Sequence, residues 1–256
     1  MDAAEGTLTA NMEKQNHVTL AWIEAQYAAS GGDPWGLDWR PTQKYRYAHM
    51  FGALQSALGV VRSPLAIVDV GCATGGFTAM MAGLNGDANG GLVVGVDIAE
   101  SAIKRAAARF PNAKFECMAL DECATKYAGV ADVVTCMEVL YYLPAEQRGQ
   151  AMRQLKSMLK PGGTLLVSSM VSSARYLSTN ELHDLVSSEL TIIDRGVLYL
   201  KPLAMYEKIL MKLFGQTAHK GMHFSLAMVG RLGRCFGRLL PGFTRSHGYV
   251  IARNGE

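Results

Sequence analysis

From Leu65 onward the chain alternates short apolar runs with amphipathic stretches. The runs fall at 65–70, 92–96, 113–117, 131–136 and 164–169, and the stretches near 76–84, 100–109 and 145–159. A run of five or six apolar residues suits a strand buried on both faces, whereas apolar residues at helical spacing suit a helix with one wet face. Their alternation, at about 25–30 residues per unit, is the rhythm of a parallel sheet covered by helices on both sides. "ELHDLVSSE" adds a helix, "LTIIDRGVLYL" a sixth strand and "HGYVIARN" a seventh. The expected fold is therefore α/β, a Rossmann-like seven-stranded and mostly parallel sheet. Within it, Pro161-Gly162-Gly163 is read as stopping a helix and turning directly into the fifth strand.

Two flanking regions break this rhythm. Upstream, "HVTLAWIEAQYAAS" has helical spacing and stops at Gly31-Gly32, "DPWGLDWRP" is a loop, and "TQKYRYAHMFGALQSAL" is a second helix with Tyr47, Met50, Phe51, Leu54 and Leu58 on one side. Downstream, roughly 201–242 contains "MYEKILMKLFG" and "FSLAMVGRLGRCFGRLLPG", both helical in pattern with basic residues between the apolar ones. The expected organisation is a leader and N-terminal helical lid over 1–64, a Rossmann-like core over 65–200, a basic helical insertion over 201–242 that serves as an acceptor lid, and the last core strand over 243–256.

Composition narrows the class. With 49% apolar and 18% charged residues the chain suits a folded enzyme rather than a disordered one. No apolar run approaches the roughly 20 residues that span a bilayer, and the polar N-terminus lacks the apolar core of a secretory signal. Cys72, Cys117, Cys123, Cys136 and Cys235 have no metal-like spacing, so they read as reduced thiols of a cytoplasmic protein, with no metal expected. The net charge of +3 conceals an asymmetry: between Arg195 and Arg245 stand nine basic residues and one acid, Glu207. Such a segment points to an anionic partner, either an anionic or phosphorylated acceptor or the surface of the inner membrane, with "RLGRCFGRLL" as an amphipathic anchor. A solvated basic face is the plain alternative. No nucleic-acid motif accompanies the charge.

The candidate chemistry lies in "AIVDVGCATGGFTAMM". A strand, a turn of small residues and a helix start form a nucleotide cradle, because backbone without side chains can approach a ligand closely. A second apolar run, "GLVVGVD", ends in Asp97, placed to bind the two hydroxyls of a ribose. Nicotinamide enzymes share these features, but here the turn is G-x-A-x-G and Asp69 stands two residues before its first glycine. An acid there opposes a pyrophosphate and welcomes a cation. S-adenosylmethionine (SAM), with a sulfonium, an ammonium and a ribose but no phosphate, fits the pair of acids better.

"VDVGCATG", "VVGVDIAESAIKRA", "ADVVTCMEVLYYL" and "LKPGGTLLV" together resemble the successive motifs of class I SAM-dependent methyltransferases over about 65–170. "MEVLYYL" and "DPWGLDWRPTQKYRYAHMFGAL" are similar to the NodS-like group, named for a nodulation N-methyltransferase. The resemblance implies that Asp69, Gly71, Cys72, Ala73 and Gly75 line the methionine end of SAM, that Asp97 binds the ribose, and that Ile98 lies beside the adenine. The acid usual at the end of the third strand is replaced by Ala119, with Asp121 two residues on, so the backbone of Met118, Ala119 and Leu120 is the candidate adenine contact. Lys44, Tyr45, Arg46 and Tyr47 compete for the register that folds over SAM, with Tyr45 and Arg46 the chosen pair, and one cation among them pairs with the SAM carboxylate.

Methyl transfer needs the nucleophile held in line with the carbon–sulfur bond, and a hydroxyl acceptor also needs a base. Base candidates are Glu138, His183, His223 and His247, with Tyr141 and Tyr142 as positioning groups; Glu138 also follows the fourth strand, where the methyl group should emerge. The expected catalytic set is Glu138, Tyr141 and His183, and the expected acceptor pocket is Trp35, Tyr141, Tyr142 and His223. Trp35 and Trp39 read equally as a lid and as anchors of the N-terminal helix, and Thr74 and Thr78 as helix caps. The expected acceptor is a small molecule bearing an amine or hydroxyl, a saccharide or secondary metabolite. A lipid or lipid-linked acceptor, and a non-catalytic SAM-binding subunit, are the alternatives.

Overall fold

The computed structural model describes residues 19–29, 32–61, 64–85, 91–171, 176–214 and 225–255. The leader through residue 18, and His223 with it, lie outside the described residues. Seven strands form one sheet: β1 (Ile67–Val70), β2 (Val93–Asp97), β3 (Lys114–Cys117), β4 (Ala131–Met137), β5 (Leu159–Met170), β6 (Thr191–Leu198) and β7 (His247–Arg253). Their order is β3-β2-β1-β4-β5-β7-β6, and only β7 runs antiparallel to its neighbours. The chain order reverses between β1 and β4, and an α/β sheet opens a crevice beyond the carboxyl ends of its strands at such a point.

The described helices are α1 (Leu20–Ala29), α2 (Pro41–Leu58), α3 (Gly76–Ala82), α4 (Glu100–Arg109), α5 (Leu120–Lys126), α6 (Ala145–Ser157), α7 (Thr179–Ser187), α8 (Lys201–Phe214), α9 (Leu226–Leu239) and α10 (Pro241–Thr244). Strand periodicity sends Val68 and Val70 into the core on one face of the sheet and Ile67 into the core on the other. On the second face α2 buries Met50 and Leu54 completely. Arg46 continues that stripe one turn earlier and is 3% exposed, so helical register carries its guanidinium past the apolar core toward the strand ends.

Two elements differ from expectation. The Pro161-Gly162-Gly163 segment lies inside β5, which begins at Leu159 opposite Ala131 and resumes register at Thr164 opposite Val133. It forms a bulge rather than a turn: Gly162 takes φ +74°, and a Cβ on Gly163 would press on the carbonyls of Lys160 and Ala131. The helix α5 was not expected, because "LDECATK" has no helical run of apolar residues; it buries only Cys123 and Ala124.

The segment after β6 is helical as expected, and it packs on α2. Glu207 of α8 is 2% exposed and accepts from the Thr42 backbone N–H at 2.8 Å, from the Thr42 hydroxyl at 2.5 Å and from Arg40 Nε at 3.0 Å. These contacts place a carboxylate at the amino end of α2, where the helix dipole favours it. On α9, Gly230 leaves room for the Tyr45 ring, which a Cβ would approach to 2.7 Å, and Gly237 does the same for Tyr199. No described helix is long and apolar enough to cross a membrane.

Candidate functional site

A cavity of about 470 Å³ opens beyond the carboxyl ends of β1, β2 and β4, within the size range of small-molecule sites. Asp69, at the floor, is 2% exposed and accepts from the hydroxyls of Thr78 and Thr135, both at 2.6 Å. Burial pushes its carboxyl up to about 6 despite these two donors. Thr78 is thus a partner of Asp69 and caps no helix, and Thr74 Oγ1 lies 3.5 Å from Asp38. The helix α3 starts from Gly75 without a side-chain cap.

The turn after β1 is forced by close approach. Gly71 takes φ +73°, and a Cβ there would lie 2.2 Å from Val139 Cγ2; Ala73 takes φ +49° without being glycine. Asp97 ties this turn to the next: its Oδ2 accepts from the Ala73 N–H at 2.9 Å and its Oδ1 from the Ala99 N–H at 3.0 Å. Burial raises its pKa against the pull of these N–H groups. Beside it, Ile98, Met118, Ala119, Leu120 and Asp121 continue the wall, finished by Gln147, Gln150 and Gln154 on one side of α6.

The fourth-strand end supplies a buried carboxylate. Glu138 takes φ +62°, an uncommon conformation for a side chain of its size. Its Oε1 accepts from Ser168 Oγ at 2.9 Å and lies 3.3 Å from Arg46 Nη1, close enough for an ion pair though not aligned as a hydrogen bond. Its Oε2 is buried without a partner, as are Arg46 Nε and His247 Nδ1. Burial raises the Glu138 pKa, with Arg46 opposing; burial, helped by Arg46 and Arg40, holds His247 well below the ordinary histidine value and therefore neutral. The Tyr141 and Tyr142 rings stand 4.5 Å apart, Tyr141 meets Tyr176 edge-on at 5.0 Å, and Trp35 meets Tyr27 edge-on at 5.2 Å. Burial raises both site tyrosines, Tyr142 to about 12, so they remain protonated donors.

Most of the expected residues therefore meet in one cavity: Trp35, Arg46, Asp69, Gly71, Cys72, Ala73, Asp97, Ile98, Met118, Ala119, Leu120, Glu138, Tyr141 and Tyr142 all line it. Three do not. Tyr45 points outward to Gly230 of α9, leaving Arg46 and Tyr47 to face inward. Gly75 turns its open side to Phe115 and Ala106, where a Cβ would clash, so it serves helix–sheet packing. His183 sits on α7 beside its own neighbour Asp184 at 3.3 Å, outside the cavity lining. In its place the cavity holds His247 at the start of β7, a lone histidine with no local motif to single it out. Gln43 and Tyr27 are further lining residues that sequence reasoning missed; helical spacing from Arg46 and Tyr47 would have found the first. Among the described residues, none of 201–244 lines the cavity.

Residues 67–163 match the methyltransferase domain family. In that stretch the chain is similar to methyltransferase domains. Among curated proteins, a ubiquinone biosynthesis O-methyltransferase of Thiobacillus denitrificans is 29% identical over 144 residues, 54% of this chain and 59% of the relative. The match thus spans less than two thirds of that relative's length. Among solved structures, a sarcosine dimethylglycine methyltransferase assigned putatively in Galdieria sulphuraria is 13% identical with a TM-score of 0.61, covering 84% of this chain and 87% of that one. The N-methyltransferase NodS of Bradyrhizobium japonicum is 19% identical with a TM-score of 0.56, covering 86% and 99%. These structures establish the class I methyltransferase fold; the narrower likeness to NodS rests on fold alone. The cavity suits SAM on its own chemistry. Asp97 keeps acceptor capacity beyond its two backbone N–H partners, enough for a diol, and the buried, unpartnered Arg46 Nε calls for an anion such as a carboxylate.

Proposed function

We propose that this protein transfers the methyl group of SAM to a hydroxyl or amine of a small, ring-bearing acceptor, with Glu138 as the proton acceptor. One observation carries the reading. A single cavity joins the Gly71–Asp97 cradle to a buried carboxylate oxygen, Glu138 Oε2, that has no protein partner. In this reading Asp97 holds the ribose hydroxyls, Arg46 the methionyl carboxylate, Gly71 to Ala73 the methionine backbone, and Ile98, Met118 and Leu120 flank the adenine, with Asp121 near its edge. When bound, the sulfonium supplies an activated methyl carbon. Glu138 then removes the acceptor proton, its raised pKa making it a stronger base than an exposed glutamate. Tyr141, Tyr142 and Trp35 offer faces for the acceptor ring, sugar or aromatic, and His247 stays neutral beside the base.

The O-methyltransferase relatives favour oxygen as the nucleophile, and their place in ubiquinone biosynthesis favours a lipophilic acceptor over a free saccharide. The exposed apolar side chains of 201–244 support that second, lipid-linked reading. The test is formation of S-adenosylhomocysteine from SAM with a panel of phenols, amino sugars and polyprenylated quinone precursors. Turnover should lose its acid limb in Glu138→Gln, a limb lying above the ordinary glutamate value of 4.5 because burial raises that carboxyl. SAM affinity should change little. Wild-type turnover in Glu138→Gln would refute the assigned base, and no product with any class of acceptor would refute the reaction.

A further inference from the structure

We propose that α8, α9 and α10 form a face that docks on an anionic lipid bilayer. The inference stands on the surface alone and does not require the reaction above. Ten of the fifteen large apolar side chains that the described residues expose lie between Met205 and Phe243. Scattered exposed apolar residues need no explanation, but such a concentration on one segment marks an interaction surface. Ile209, Leu213 and Phe214 on α8 are 55–67% exposed, and Leu239, Leu240 and Phe243 at the α9–α10 corner are 60–71% exposed. The helices that carry them are neighbours, because Lys201 at the start of α8 lies over the Phe243 ring at 4.9 Å.

Charge selects the occupant. Lys208, Lys212, Arg231, Arg234, Arg238 and Arg245 are all exposed around these apolar groups. The segment's one acid, Glu207, is buried against Arg40 and Thr42 and presents nothing outward. Apolar side chains rimmed by exposed basic residues match an interface of acyl chains beneath anionic headgroups, where burial and electrostatics add. A second copy of the chain is disfavoured, because a two-fold contact would bring the same basic patch against itself. The face is one helix removed from the cavity, since α9 packs on α2 at Tyr45 and α2 carries Arg46 inward.

The test is co-sedimentation of the full chain with vesicles of phosphatidylcholine alone and of phosphatidylcholine with phosphatidylglycerol, at low and high salt. Binding should require the anionic lipid and weaken with salt. Arg234→Glu with Arg238→Glu should weaken it at least about tenfold, in line with the contribution of each basic residue near such a surface. Leu239→Glu with Phe243→Glu should abolish it. Thermal melts and SAM binding like wild type would show that both double variants fold. Absence of binding to anionic vesicles at low salt would overturn the proposal. So would lipid binding that both variants retain, or self-association that the variants abolish in a protein that ignores vesicles.

Discussion

Asp69 shows how the site sets residue against fold. A carboxylate enclosed by protein and satisfied by two threonine hydroxyls has a folded pKa of about 6, above the 3.8 of an exposed aspartate. The sign follows from which form the fold disfavours. Below pH 3.8 the group is protonated folded or unfolded and has no effect. Between 3.8 and about 6 the unfolded chain releases its proton first, so stability falls, and above 6 the full cost of about 3 kcal/mol remains. Asp69→Asn should therefore raise the melting temperature of the ligand-free protein at pH 7.5 and leave it near wild type at pH 4. Thermal melts at the two pH values check this, and a variant that melts lower at pH 7.5 would contradict it. Such a local conflict is expected where function overrides packing. At this scale Gly71, Asp97 and Glu138 were legible in sequence because each closes a strand in a motif of fixed spacing. Arg46 became distinguishable from Tyr45 only through the helix stripe it shares with Met50 and Leu54. His247 carries no local signal, since its position depends on β7 pairing with β5 at Met170.

At the scale of elements, the joint between α8 and α2 is the most consequential contact that sequence reasoning did not foresee. Glu207 stands 165 residues from Thr42, and nothing local in either segment announces the pairing. Its carboxylate serves the amino end of α2, which Pro41 opens without a side-chain cap of its own. Glu207→Gln removes the charge while keeping the shape, leaving Arg40 buried without a counter-ion. Breaking one side of a buried pair costs about 3 kcal/mol or more, and the melting temperature should fall by roughly 6–10 °C. A melt within a degree or two of wild type would show that α2 does not depend on this clasp. Strands, by contrast, were legible to within a few residues, because buried parallel strands are continuous apolar runs. The bulge in β5 was misread as a turn because Pro-Gly-Gly carries the same local signal for both, and only the partners on β4 and β7 decide between them. The short helix α5 has too few apolar residues to set a period.

For the whole molecule, the order of β-α units was enough to place the cradle after the first strand of the sheet, and the methyltransferase domain match covers that part; that the sheet reverses there came from the strand order. The antiparallel β7 and the role of the basic segment were harder, because both depend on long-range packing. The segment is expected from its sequence to be a lid on the acceptor; its described residues pack on α2 and expose apolar and basic side chains. The proposed donor cradle and the proposed bilayer face thus lie in different layers of one fold, joined through α2. The central claim is that the cradle built on Gly71 and Asp97 holds SAM. Titration calorimetry with SAM, with NAD as the competing nucleotide cofactor, tests it most directly. Wild-type protein should bind SAM at one site and give no heat with NAD, and Asp97→Ala, shown by its melt to be folded, should bind SAM at least about tenfold more weakly. Heat with NAD and none with SAM, or undiminished SAM binding by Asp97→Ala, would contradict the account.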